Sequence, residues 1–155
     1  MNIKHLKAIP IIGIAVRTTN QEEQAALDIP QLWEAFHSQQ LLEKIPHAFT
    51  DTIYAIYTQY ESDFTAPYTT IIGCRVSSLA EVPEGMVAHI IPEGPYLQRL
   101  VCGNLQENVV LREWMDIWNS PDLNRAYTSD FEVYGPKAQD PTQAEMEIYL
   151  AIKSS

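Results

Sequence analysis

Alternating apolar and polar positions mark most of this chain as β-strand, and two longer periodic stretches break the alternation as helices. Residues 7–17 (KAIPIIGIAVR) form the first expected strand, with Pro10 near its start, where a missing N–H is tolerated. The polar stretch 18–26 is expected to be a loop. Asp28, Ile29 and Pro30 spell a helix start, a capping side chain followed by a first-turn proline. That helix should run to about Lys44, with Leu32, Trp33, Phe36 and Leu41 on one stripe, and Pro46 should stop it. DTIYAIYTQY and YTTIIGCRVSSL then pair as a hairpin around a turn at 61–67. Tyr54 and Ile56 fall on one side of its first strand, Ala55, Tyr57 and Gln59 on the other.

After the link EVPEG at 81–85 the same order returns. MVAHIIPEGPYLQRLVCG is strand-like, with Pro92, Gly94 and Pro95 imposing a bend or a division into two segments. Asn104 or a neighbour caps a second helix, about Leu105 to Asn119, that carries Val109, Val110, Trp114, Ile117 and Trp118 and ends before Pro121. The C-terminal stretch 128–153 is a second hairpin. Phe131 and Val133 oppose Glu132 and Tyr134 in its first strand. Met146, Ile148, Leu150 and Ile152 oppose Glu147, Tyr149 and Ala151 in its second. The whole reads β-α-β-β twice. Sliding the chain until Tyr57 falls on Tyr134 also aligns Ile71 with Ile148 without a gap, while matching Trp33 to Trp114 needs one. The expectation is a single domain over 1–155, its halves spanning about 1–80 and 85–155.

This duplication defines where chemistry could occur. Each half has one helix to cover one sheet face, so the second faces must meet about a pseudo-twofold axis and form a cleft. Tyr57, Glu132, Tyr134, Glu147 and Tyr149 are the residues expected to line it, with Trp33 and Trp114 at its rim or in the core. A carboxylate among phenol rings suits an organic cation, through charge attraction and the negative face of the rings. The same Glu-x-Tyr pattern also fits a half-buried sheet whose polar face meets water, or a glutamate held by neighbouring tyrosines.

Composition narrows the partners. A formal net charge of −10, from 20 acidic and 10 basic residues, lacks the basic footprint of direct nucleic-acid binding. No run approaches the roughly 20 apolar residues of a membrane span. The N-terminal MNIKHLKAIPIIGIAV has two lysines before an apolar stretch, but Pro10 and Gly13 interrupt it and no cleavage pattern follows, so a cytoplasmic location is expected. Cys74 and Cys102 lie in different elements without CxxC spacing and are expected to be reduced. His5, His37, His47 and His89 show no ligand spacing, and neither a metal nor another cofactor is expected.

IYAIYTQYESDFTAPYTTIIGCRV, IPEGPY, RAYTSDFEVYG and EMEIYLAIK, in that order, resemble the GyrI-like, or AraC-type effector-binding, domain family over nearly the whole chain. Within it the chain is most similar to the stand-alone branch that includes integron-cassette proteins binding cationic drugs. The resemblance implies an α+β fold of duplicated β-α-β-β (SH2-like) motifs with pseudo-twofold symmetry, antiparallel sheets and two main helices around a central cleft. It implies that Glu132 and Glu147, with nearby tyrosines, receive lipophilic cations. It also implies two alternatives. One is hydrolysis of reactive small molecules, with Glu147 as general base and Tyr149 or Tyr134 orienting water. The other is a GyrI-type interaction with DNA gyrase. The sequence shows no helix-turn-helix, so an effect on transcription would pass through a protein partner. No Ser-His-Asp, Cys-His or metal constellation supports an enzyme, and the ligand-binding expectation comes first.

Overall fold

The structure, a computed structural model, describes residues 2–153; Met1 and residues 154–155 of the expected domain lie outside the described residues. Eight antiparallel strands form one sheet: β1 (Asn2–Leu6), β2 (Ile9–Thr18), β3 (Ile53–Thr58), β4 (Tyr68–Arg75), β5 (Val87–Ile91), β6 (Gly94–Gly103), β7 (Ser129–Tyr134) and β8 (Ala144–Ala151). Their order is β1-β6-β8-β7-β3-β4-β2-β5. Exchanging each strand with its counterpart in the other half reverses this order onto itself, so a pseudo-twofold axis passes between β7 and β3. Helix α1 (Gln24–Ser38), the short α2 (Leu41–Lys44) and α3 (Val109–Trp118) complete the fold.

The duplicated unit contains one more strand than expected. Residues 2–6 form β1 ahead of the strand read at 7–17, and Pro92 divides β5 from β6. Both extra strands pair across the halves: β1 joins β6 of the second half, and β5 joins β2 of the first. Consecutive strands therefore lie at opposite ends of the order, joined by links of two residues, and the sheet must curl until its ends approach. Ile9 and Ile91 from one end pack with Tyr96 and Ala151 from the other, over Ile56, Ile71 and Phe131. Gly13 and Gly73 face each other within the curl. A Cβ on either would overlap the backbone carbonyl of Ile72 or Ile12, so only glycine allows the two strands to come this close.

The helices cover the other face. Phe36 and Leu41, from α1 and α2, pack on Ile12, Ala55, Ile72 and Cys74. Trp114 and Ile117 of α3 pack on Leu97, Val101, Met146, Ile148 and Leu150. Each fully buried aliphatic side chain in these layers contributes about 1.5–3 kcal/mol.

Helix α1 begins at Gln24, inside the stretch expected to be a loop, and Pro30 sits in its interior. Asp28 does not cap it; instead Gln24 Nε2 donates to Asp28 Oδ1 at 2.9 Å, one turn apart. Ala25, Ala26 and Leu27 favour helix enough to carry it past a residue that cannot donate to the carbonyl four before it. Gln40, at φ 53°, breaks it before α2. Asn104 does cap: its side chain accepts from the Gln106 amide at the start of a tight turn that leads into α3.

The ungapped alignment of the halves fails in the second hairpin. Ile71 shares the face of Phe131, through Ile56, whereas Ile148 lies directly opposite Glu132 on the helix-covered face. Matching faces requires a slide one residue shorter there, pairing Ile72 with Ile148. Cys74 is buried and Cys102 exposed, and neither is in a disulfide. Among the described residues no helix is long and apolar enough to cross a membrane.

Candidate functional site: a carboxylate between two helices

The pseudo-twofold axis emerges on the helix-covered face between β3 and β7, where Ala55 lies opposite Glu132. Tyr57 and Tyr134, matched by the repeat, flank this pair from either side. Tyr57 Oη donates to Glu132 Oε2 at 3.0 Å, and Tyr134 Oη donates to Oε1 at 2.7 Å. A third donor comes from α3: Trp114 Nε1 lies 2.6 Å from Oε2. The tryptophans repeat this symmetry. Trp114 meets Tyr57 edge-on at 5.3 Å, and Trp33 of α1 meets Tyr134 edge-on at 5.1 Å. Each ring pair thus joins a helix of one half to a strand of the other. The symmetry ends at the centre, where one half supplies a glutamate and the other an alanine.

Glu132 is 2% exposed. Burial raises its carboxyl above the ordinary value, against the opposing pull of the Tyr134, Trp114 and Tyr57 donors. Burial and the adjacent Glu132 charge hold the Tyr57 and Tyr134 hydroxyls well above theirs, so both remain O–H donors at any working pH.

Two residues along β7, on the same face, stands a second buried carboxylate. Asp130 Oδ2 accepts from Arg125 Nη2 at 2.7 Å and from Tyr60 Oη at 2.6 Å, and its Oδ1 accepts from the Ala151 amide at 2.8 Å. Asp130 therefore has its own guanidinium, in an ion pair whose side chains are 0% and 5% exposed. Among the described residues, Glu132 has only neutral donors. Sequence reasoning missed Arg125 and Asp130. Their signal was an arginine and an aspartate five residues apart, leading into a strand that is otherwise buried.

The other expected acid is elsewhere. Glu147 lies opposite Val133 and Tyr149 opposite Phe131, so both leave the sheet on the curled inner face, away from the helices. Tyr149 stacks on Phe131 at 4.8 Å, donates to Glu147 Oε2 at 2.6 Å and accepts from Gln98 Nε2 at 2.9 Å. The expected cleft between the faces away from the helices therefore does not gather these residues: Glu132, Tyr57 and Tyr134 lie on the helix-covered face against Trp33 and Trp114, because β3 and β7 turn them there, and only Glu147 and Tyr149 lie on the other. Among the described residues no group of three or more His, Cys, Asp or Glu side chains is placed to hold a metal ion.

Residues 2–152 match the family model described as integron-associated effector binding protein. The chain is 30% identical over 156 residues to YobU of Bacillus subtilis strain 168, whose name classes it with transcriptional regulators; the match covers 98% of this chain and 97% of YobU. The crystal structure of the integron cassette protein VCH_CASS2 from Vibrio cholerae superposes with a TM-score of 0.75 at 29% identity, covering 98% and 95% of the two chains. SAV2435, solved bound to tetraphenylphosphonium, has the same fold at a TM-score of 0.81, with 15% identity over 99% and 93% of the chains. By its family match and its relatives, the chain belongs to the integron-associated effector-binding proteins, a family of small-molecule binders with the GyrI-like fold.

Proposed function

We propose that this protein binds hydrophobic cations in the seam between α1 and α3, with Glu132 as counter-ion and Tyr57, Tyr134, Trp114 and Trp33 as walls. The observation that carries this reading is the contrast along β7. One buried carboxylate has its guanidinium, and the one two residues on has no cation of its own among the described residues. Holding an uncompensated carboxylate out of water costs several kcal/mol. A bound cation offsets that cost, and each ring face adds roughly 0.5–2 kcal/mol through cation–π contact. Glu132 is covered in this structure, so entry requires the aromatic walls to part. The tetraphenylphosphonium carried by SAV2435, a protein of the same fold, supports the choice of ligand class.

Calorimetric titration of tetraphenylphosphonium against neutral triphenylphosphine oxide tests the assignment. The cation should bind at least about thirtyfold more tightly, and Glu132→Gln should remove most of that difference, about 2 kcal/mol. Equal affinities in the wild type, or a preference that survives Glu132→Gln, would discard Glu132 as the counter-ion. An effect on transcription would pass from the occupied seam to a partner protein, since the acidic surface does not suit DNA.

A further inference from the structure

Beyond the C-terminal end of α3 lies a hollow of about 360 Å³, lined by Phe64, Trp118, Ser120, Arg125, Tyr127 and Lys153 among others. Its apolar wall is aromatic. Phe64 and Trp118 stack at 5.8 Å and 13°, and the Arg125 guanidinium lies 4.4 Å over the Tyr127 ring. Its polar wall is basic. In a chain with twice as many acids as bases, the lining residues include Arg125 and Lys153 and no carboxylate.

Arg125 is the unusual member. Its side chain is 5% exposed and only Nη2 is engaged, on Asp130. Among the described residues, Nε and Nη1 are buried without an acceptor. Buried guanidinium N–H groups rarely go unpaired in folded proteins, because the lost hydration is not replaced. Asp130 pairs with Arg125 on one side, and Lys153 is the second cation among the lining residues. The hollow's volume suits a ligand of one or two fused rings.

We propose that this hollow is a second ligand site, selective for small aromatic carboxylates. The ring packs against Phe64, Trp118 and Tyr127, and the anion supplies the acceptor that Arg125 lacks, with Lys153 at the mouth. The charge preference is opposite to that of the Glu132 seam, so this site stands or falls independently of the cation assignment.

The test uses the full chain with 2-naphthoate and its neutral isostere 2-naphthamide, followed by calorimetry and tryptophan fluorescence. The acid should bind at least about tenfold more tightly than the amide, as a charge-assisted contact to a desolvated guanidinium requires. Lys153→Gln should weaken the acid about threefold and leave the amide unchanged. Ser120→Phe, which fills the hollow from its edge, should abolish both. Equal affinity of acid and amide, no binding of either at millimolar concentration, or full naphthoate binding by a folded Ser120→Phe protein would overturn the proposal. Should Ser120→Phe fail to fold, the acid–amide comparison and Lys153→Gln still decide it.

Discussion

Glu132 and Glu147 leave opposite faces of the same sheet, because Val133, not Glu132, lies across from Glu147 in the β7–β8 pairing. Glu132 faces the helices and Glu147 the inside of the curl. With Glu132 as counter-ion, Glu147→Gln should change tetraphenylphosphonium affinity by less than about threefold, whereas Glu132→Gln costs tenfold or more. Calorimetry on the two variants side by side measures the difference. Equal losses would mean that the cation contacts the inner face.

The pH dependence of binding and of stability should run in opposite directions at Glu132. Burial lifts its carboxyl above 4.5, so the folded protein holds the proton more tightly than the unfolded chain does. The stability gained from that proton is fully present below 4.5 and is lost as pH rises through the raised value. Cation affinity is present above the raised value and falls about tenfold per pH unit below it. Titrations stepped downward from about pH 8 should show this fall in the wild type and a flat line in Glu132→Gln. A flat wild-type profile would exclude an ionised Glu132 from the bound state.

Asp130 and Glu132 should respond very differently to neutralisation. Asp130→Asn strands the Arg125 guanidinium in the interior and should cost about 3–5 kcal/mol in urea unfolding. Glu132→Gln removes a charge held only by neutral donors among the described residues and should cost no more than about 1 kcal/mol. Similar losses for both would contradict the asymmetry on which the cation assignment rests.

Gly73→Ala adds a methyl group that overlaps the Ile12 carbonyl across the strand pair. The two strands would have to separate where Gly13 and Gly73 lie across from each other. Unfolding by urea should register a loss of about 1–3 kcal/mol, with Gly13→Ala behaving alike. A neutral result would mean that this pair does not set the curl.

Much of this arrangement was legible in the sequence because it rests on local rules. Alternation identified β3, β4, β7 and β8, the matched tyrosines and tryptophans exposed the duplication, and Glu132 stood out, equally with Glu147, as a carboxylate two residues from a tyrosine. What escaped depends on quantities that alternation does not encode. The facing of β8 against β7 turns on the exact length of the connection 135–143, and one residue more or less would bring Glu147 to Glu132's side. Pro30 reads as a helix start by its own chemistry, and only the preceding alanines and the Gln24–Asp28 contact reveal a helix running through it. Arg125 and Asp130 look like surface charges until Ala151 and Tyr60 are folded over them.

The reciprocal placement of β1 and β5 bears on how this gene product can be divided. A fragment ending in the 81–85 link would keep β1 without its sheet partner β6, and would keep β2 with β4 on one edge but without β5 on the other. The complementary fragment would carry the mirror-image deficit. Neither piece should persist alone, yet co-expression of the two should reconstitute a complex, because each displays the docking edge that the other is missing. Two like halves should thus behave as a single folding entity, tied together by an exchange of outermost strands.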